Sequence, residues 1–287
     1  MIATKAILTD TTRCVGCEEC VRACKRQNHL GKDVPRRWQA AIDDLSATRY
    51  TTLVRRPGHR FVRRHCRHCL EPACVSVCIV GALQKRADGA VVYDSDRCMG
   101  CRYCMMSCPY GIPRYDWARA VPYLRKCVFC ESRLRVGKQP ACTEACPKQA
   151  TVFGTREQLL EEAHRRIRDN PDLYVNQVFG ETELGGTSVL YISDIPLGFL
   201  AFKPDLGERP LGTLTWAALS KVPPMVLGVG GLMAGVWWVT GRRMKLAAEA
   251  SEGPADADAA PRGAGSESNN TPSEDLPAPS ASKEKPE

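Results

Sequence analysis

Sixteen cysteines, gathered into four groups of four, constrain this 287-residue chain more than anything else in it. The plainest group lies in residues 98–109, CMGCRYCMMSCP, where Cys98, Cys101, Cys104 and Cys108 stand at C-x2-C-x2-C-x3-C before a proline. Three thiolates on so tight a loop can reach three irons of one [4Fe–4S] cube, while the fourth points away toward a second cube. The motif therefore announces clusters in pairs. Cys14, Cys17, Cys20 and Cys24 repeat the spacing. Cys66, Cys69, Cys74 and Cys78 repeat it with a wider middle gap containing Pro72, and Cys127, Cys130, Cys142 and Cys146 with a gap of eleven residues. No cysteine is left over, and sixteen ligands divide into four four-coordinate sites.

Two other uses of cysteine compete with this one. A disulfide framework suits small secreted domains, whereas this chain is long and no cleavable or twin-arginine leader is read before Cys14. Zinc ribbons use C-x2-C pairs but seldom place a third cysteine after two residues and a fourth after three. The spacing thus selects four [4Fe–4S] clusters.

The crossover rule then assigns the ligands. Cys14, Cys17 and Cys20 are expected to share cluster 1 with Cys146, and Cys24 to join Cys127, Cys130 and Cys142 at cluster 2. Cys66, Cys69 and Cys74 would take Cys108 at cluster 3, and Cys98, Cys101 and Cys104 would take Cys78 at cluster 4. The expected fold class is α+β: two ferredoxin-like dicluster units, one nested in the other, with a C-terminal transmembrane helix and a disordered tail. Residues 1–60 and 110–170 would form the first unit, 61–109 the second, and 171–213 an extension.

Local patterns fill in the elements. KAILTD at 5–10 alternates like a strand, as does residues 50–54. Residues 83–86 and 90–94 read as a hairpin about Asp88–Gly89. The gap at 131–141, ESRLRVGKQPA, is too polar for a core element and reads as a loop. A helix is predicted over 155–168, opened by Thr155-x-x-Gln158, with His164 on its solvated face. One or two strands should follow around Gly185–Gly186, and 207–212 reads as a linker. Lys25, where a proline is usual after the fourth cysteine, is taken as a solvated residue at a helix start.

The formal net charge is +8, although residues 246–287 hold nine acids against three bases. A basic chain raises the question of nucleic acid. Here a cluster with four thiolates is itself an anion, and nearby Lys and Arg offset it, so no nucleic-acid partner is expected. The insertion at 28–61 carries Trp38 and leads into a basic run from Arg55 to His68. This run reads as a solvated face, as a docking surface for an acidic partner, or as charge compensation for the second cysteine group. His65 and His68 flank Cys66 but are not expected to be ligands, since cysteine already supplies full sets.

Residues 222–240, VPPMVLGVGGLMAGVWWVT, carry no charge. As a helix they would span about 28 Å, close to the hydrocarbon core of a bilayer. Trp216 and the Trp237–Trp238 pair flank them, and Arg242, Arg243 and Lys245 are expected to stop the segment. A membrane anchor over 214–245 is predicted. Three basic residues on each side leave the orientation to the tighter trailing group, which leans toward a cytoplasmic tail and a periplasmic cluster domain. The tail at 246–287 is rich in Ala, Pro, Ser and acids and reads as disordered.

No base–nucleophile constellation and no nucleotide loop is read anywhere, so the chain is taken as non-catalytic. The four cysteine groups, GALQKRADGAVVYDSDRCMGCRYCMMSCPYGIP, the YVNQVFGE…GGTSVLYIS segment and the C-terminal helix together resemble the iron–sulfur (beta) subunits of membrane-bound respiratory oxidoreductases. Respiratory formate dehydrogenase and uptake [NiFe] hydrogenase are the nearest in pattern; dimethyl sulfoxide and nitrate reductase subunits share the cysteines. The resemblance implies electron transfer between a catalytic subunit, a molybdopterin formate dehydrogenase or a [NiFe] hydrogenase, and a membrane cytochrome b or quinone-reducing subunit. It also implies export with a twin-arginine-tagged partner. A membrane-tethered polyferredoxin, or the same chain run in reverse toward a molybdopterin reductase, are the alternatives.

Overall fold

The structure is a computed structural model that describes residues 3–32, 45–117, 123–200 and 207–251. Trp38 and the tail from residue 252 lie outside the described residues. The chain divides into two bodies, residues 1–223 and residues 224–287.

The first body is built on β1 (Lys5–Asp10), which leads through the first cysteine loop into α1 (Glu19–Gln27). A β2–β3 hairpin follows (Thr52–Arg56, Arg60–Arg64), then the short α2 (Ala73–Ser76). The hairpin of β4 (Leu83–Lys85) and β5 (Val91–Tyr93) delivers the chain to α3 (Tyr103–Met106). Two short strands, β6 (Arg114–Tyr115) and β7 (Leu124–Arg125), pair before the helical turns α4 (Glu131–Leu134) and α5 (Ala141–Glu144). The body closes with β8 (Thr151–Thr155), α6 (Arg156–Asp169), β9 (Val189–Ile192) and α7 (Leu211–Leu219).

β1 is the centre of a three-stranded sheet. It runs antiparallel to β8, with Lys5 opposite Thr155, and parallel to β9, with Ile7 opposite Val189. Side chains alternate across a strand, so its two faces serve different cores. Ala6 and Leu8 pack with Leu159, Ala163 and Ile167 of α6, while Ile7 joins Cys24, Cys66, Cys127 and Cys142. α6 begins at the predicted cap: the Thr155 hydroxyl accepts the Gln158 N–H at 3.4 Å and donates to Gln158 Oε1 at 2.8 Å. Asp10, at the end of β1, is buried and accepts from Tyr174 (2.9 Å), Arg166 (3.2 Å) and the Thr12 amide (3.0 Å). Those bonds tie sheet, helix and first cysteine loop together.

Four expectations need correction. The polar gap at 131–141 opens with the helical turn α4, because Arg133 and Leu134 close backbone bonds to the Cys130 carbonyl. Lys25 sits in the last turn of α1, not at a helix start, and reaches the Gly31 carbonyl at 3.3 Å. Leu211 and Gly212 belong to α7, not to a linker. The apolar helix of the second body, α8 (Val222–Ser251), runs through Arg242, Arg243 and Lys245, so residues 246–251 are helical where disorder was expected. Arg and Lys are good helix formers, so a basic cluster does not by itself end a helix. The stretch Leu211–Ser251 is helical, long and apolar enough to cross a membrane.

Candidate metal centres

None of the sixteen cysteines is paired in a disulfide, and the four loops that carry them share one backbone device. The residue just before the second cysteine of each group has positive φ: Gly16 (74°), His68 (50°), Gly100 (77°) and Phe129 (60°). This left-handed kink turns successive thiols toward the same side. Glycine adopts it freely, whereas other residues are strained there. At Gly16 a side chain is also excluded by space, since a Cβ would stand 2.7 Å from the Phe61 ring.

The structure brings distant groups together. Cys14 lies in electrostatic reach of Cys17 and Cys146, and Cys14, Cys17, Cys20 and Cys146 line one pocket. Cys127 is in reach of Cys24, Cys130 and Cys142. Cys69 is coupled in the same way to Cys66, Cys74 and Cys108. Cys104 faces Cys78, Cys98 and Cys101, and these four line a second pocket. Helix contacts match: α1 packs on α5, and α2 on α3. Neighbouring groups also lie within electrostatic reach of one another, Cys20 of Cys142, Cys127 of Cys66, and Cys74 of Cys104. The thiols thus lie in one continuous row.

Among the described residues no three metal-binding side chains converge closely enough for a single ion. Thiol-only groups around a space, rather than a point, suit a cluster of several irons better than one zinc ion. Burial pushes the thiols up: Cys20 to about 11, Cys24 and Cys74 to about 12. Ionising so many buried thiols requires cations beside them, which irons and basic side chains can supply.

Part of the basic run does so. Reading it as a solvated face is overturned for Arg63, His65, Arg67 and His68, each at most 2 % exposed. β3 carries Arg63 inward, where its Nε donates to Thr51 Oγ1 at 3.0 Å. Its guanidinium lies by Cys14, Cys20, Cys24 and Cys142, so the compensation falls on the first and fourth cysteine groups instead of the second. Burial alone would lower the Arg63 pKa; the thiolates of Cys142 and Cys20 outweigh it and hold the group cationic. Arg67 stacks on the Tyr191 ring, 4.3 Å from its centroid. His65 is held neutral by burial and by Arg63 and Arg67.

Several side chains reach cysteine sulfurs. Asn28 Nδ2 donates to Cys24 Sγ at 3.6 Å, and Tyr115 Oη lies 3.4 Å from Cys104 Sγ. Cys127 Sγ accepts the Phe129 amide at 3.4 Å and lies 3.5 Å from His68 Nε2. Lys126, also buried, bonds the carbonyls of Val91 and Cys127. Spacing could not single these residues out. His164, half exposed as expected, pairs with Glu181 at 3.0 Å.

Comparison with known proteins agrees with this geometry. Residues 58–156 match the family described as a 4Fe-4S dicluster domain. A protein of Nitratidesulfovibrio vulgaris is 42 % identical over 259 residues, covering 85 % of this chain and 68 % of its own. The hydrogenase-2 operon protein HybA of Escherichia coli O157:H7 is 36 % identical over 230 residues, 66 % of this chain and 70 % of that one. The formate dehydrogenase iron-sulfur subunit of Haemophilus influenzae is 31 % identical over 250 residues, 79 % and 77 % of the two chains. The chain belongs to the family of iron–sulfur subunits of membrane-bound respiratory oxidoreductases. Membership in this family fits a row of thiol groups and a long apolar helix in one chain.

Proposed function

We propose that this chain is the non-catalytic electron-transfer subunit of a membrane-bound respiratory oxidoreductase. The observation that carries the reading is the single row of four all-cysteine groups. Cys14, Cys17, Cys20 and Cys146 would hold the first cluster, and Cys24, Cys127, Cys130 and Cys142 the second. Cys66, Cys69, Cys74 and Cys108 would hold the third, and Cys78, Cys98, Cys101 and Cys104 the fourth. A [4Fe–4S] cube held in this way supplies one-electron chemistry and, with cysteine on every iron, offers no open coordination site. The protein's own contribution is spacing, exclusion of water, and fixed charge from Arg63 and Lys126.

The exposed ends suggest where partners sit. Cys17 is exposed at one end and Cys101 at the other. Around Cys101 the side chains of Ile79, Met99, Tyr103 and Met106 are exposed. α7, which leads toward the apolar helix, packs on α2 beside this end, with Gly212 near Ser76. Electrons would therefore enter at the Cys17 end from a catalytic subunit, a molybdopterin formate dehydrogenase or a [NiFe] hydrogenase. They would leave at the Cys101 end for a membrane cytochrome b or quinone-reducing subunit. α8 would anchor the chain in the cytoplasmic membrane, with the cluster body on the periplasmic side. The reverse direction, toward a molybdopterin reductase, draws on a likeness to the probable anaerobic dimethyl sulfoxide reductase chain YnfG of Escherichia coli, which covers only 53 % of this chain.

Iron and sulfide analysis of the anaerobically purified full chain should give about sixteen of each. Far fewer after complete reconstitution would refute the proposal. Cys146→Ser should alter the EPR signal of the cluster held by Cys14, Cys17 and Cys20; loss of the Cys127 cluster alone would overturn the ligand sets.

A further inference from the structure

His68 stands where two of the four cysteine loops place glycine, and it occupies the same left-handed backbone conformation, φ 50°. Strain of this kind persists only where the surroundings impose it. Glycine would relieve the strain, so the imidazole itself must account for the residue. Its ring is fully buried and stacks on Phe129, the other non-glycine in this position, with centroids 4.6 Å apart.

Both ring nitrogens are engaged. Nδ1 accepts the Val91 N–H at 2.9 Å, from β5 of the hairpin between the second and third cysteine groups. A neutral imidazole carries one proton, so that acceptor bond places it on Nε2. Nε2 lies 3.5 Å from Cys127 Sγ, within reach of a hydrogen bond to sulfur. The residue is covalently next to Cys69, whose thiol gathers with Cys66, Cys74 and Cys108. One side chain therefore joins a cysteine of the second group, through the backbone, to a cysteine of the fourth. It does so where the two inner groups meet, at Cys66 and Cys127.

We infer that His68 is a positioning residue at the inner seam: its fixed Nε2–H donates to Cys127 Sγ and raises the potential of the cluster that Cys127 ligates. The inference rests on the four-cluster reading above. A donor bonded to a ligand sulfur stabilises the more negative, reduced state, so the potential rises. The proton stays on Nε2 throughout, locked by the Val91 bond. The same bond fixes the ring's orientation, as a partner on the far nitrogen does for metal-bound imidazoles.

The test uses the full chain, purified anaerobically in detergent with 15N-labelled histidine and partly reduced. Pulsed EPR should find a histidine nitrogen coupled to one reduced cluster in the wild type. His68→Gly suits the left-handed backbone and removes the donor; it should abolish that coupling and shift one midpoint potential negative. His68→Gln carries no label but keeps a donor, so the coupling should stay absent while the potential returns toward wild type. Iron far below about sixteen per chain would sink the four-cluster reading itself. With iron complete, absence of histidine coupling in the wild type overturns the inference. So does an unchanged midpoint in His68→Gly, or a shift that His68→Gln fails to restore.

Discussion

The two inner thiol groups and the two outer ones are built from the same motif but placed in different surroundings. Of the six buried cysteines, Cys24, Cys66, Cys127, Cys130 and Cys142 lie in the inner pair, and only Cys104 in the outer. Each outer group instead has one exposed thiol, Cys17 or Cys101. The buried Lys126 bonds the Cys127 carbonyl in the inner pair and Arg63 lies between an inner group and the outer Cys14 group, whereas the pocket of the Cys101 group is lined by Tyr93, Tyr115, Leu83 and Leu124. The difference teaches that one ligand spacing can be set in quite different surroundings. On the proposed reading, inner sites would relay electrons and need shielding, while outer sites would exchange them with partners and need access.

Cysteine substitution gives the largest contrast. Cys142→Ser, 5 % exposed and in an inner group, should cost a whole cluster, taking iron from about sixteen to about twelve or below. Cys101→Ser, at an exposed corner, should cost about one iron or none, with the rest of the cluster intact. Equal losses in iron analysis would abolish the distinction. Arg63→Met should come next. It removes a cation set between two groups and should destabilise the loaded protein by ~3–5 kcal/mol, as when one partner of a buried charge pair is lost. Chemical denaturation should show that loss, and redox titration should show the potentials of the two clusters around Arg63 falling while those around Cys69 and Cys101 hold. A uniform shift of all four would mean that Arg63 is not local to one end. Thr155→Ala, at the cap of α6 and away from every thiol group, should cost about 1 kcal/mol in thermal unfolding and leave all cluster signals unchanged.

The four cysteine groups were legible because their spacing encodes them directly, while the ligand sets that the crossover rule draws from chain order are part of the proposal. β1, the β4–β5 hairpin and α6 were legible for similar reasons: alternation, an Asp88–Gly89 turn and a Thr155 cap are local signals. The basic run was not. Arg63 and Arg55 look alike in sequence, yet strand pairing sends one inward and the other to solvent. Only the β2–β3 register, with Thr52 opposite Arg64, settles which is which. His68 left one trace that could have been read. Aligning the loops sets Gly16, His68, Gly100 and Phe129 in one column, and two large side chains in a glycine column ask for a reason. The extent of α8 was misjudged because charge marks where a bilayer ends, not where a helix does.

The place of β1 in the sheet bears on how the protein comes to exist. The strand precedes the first thiols in the chain, but both its neighbours come from beyond residue 150. Contacts so distant in sequence form late and slowly. Until Ile192 has been made, the central sheet cannot close, and the first thiols wait open beside a half-made chain. Iron delivery must therefore follow synthesis, or something must cover those thiols in the meantime.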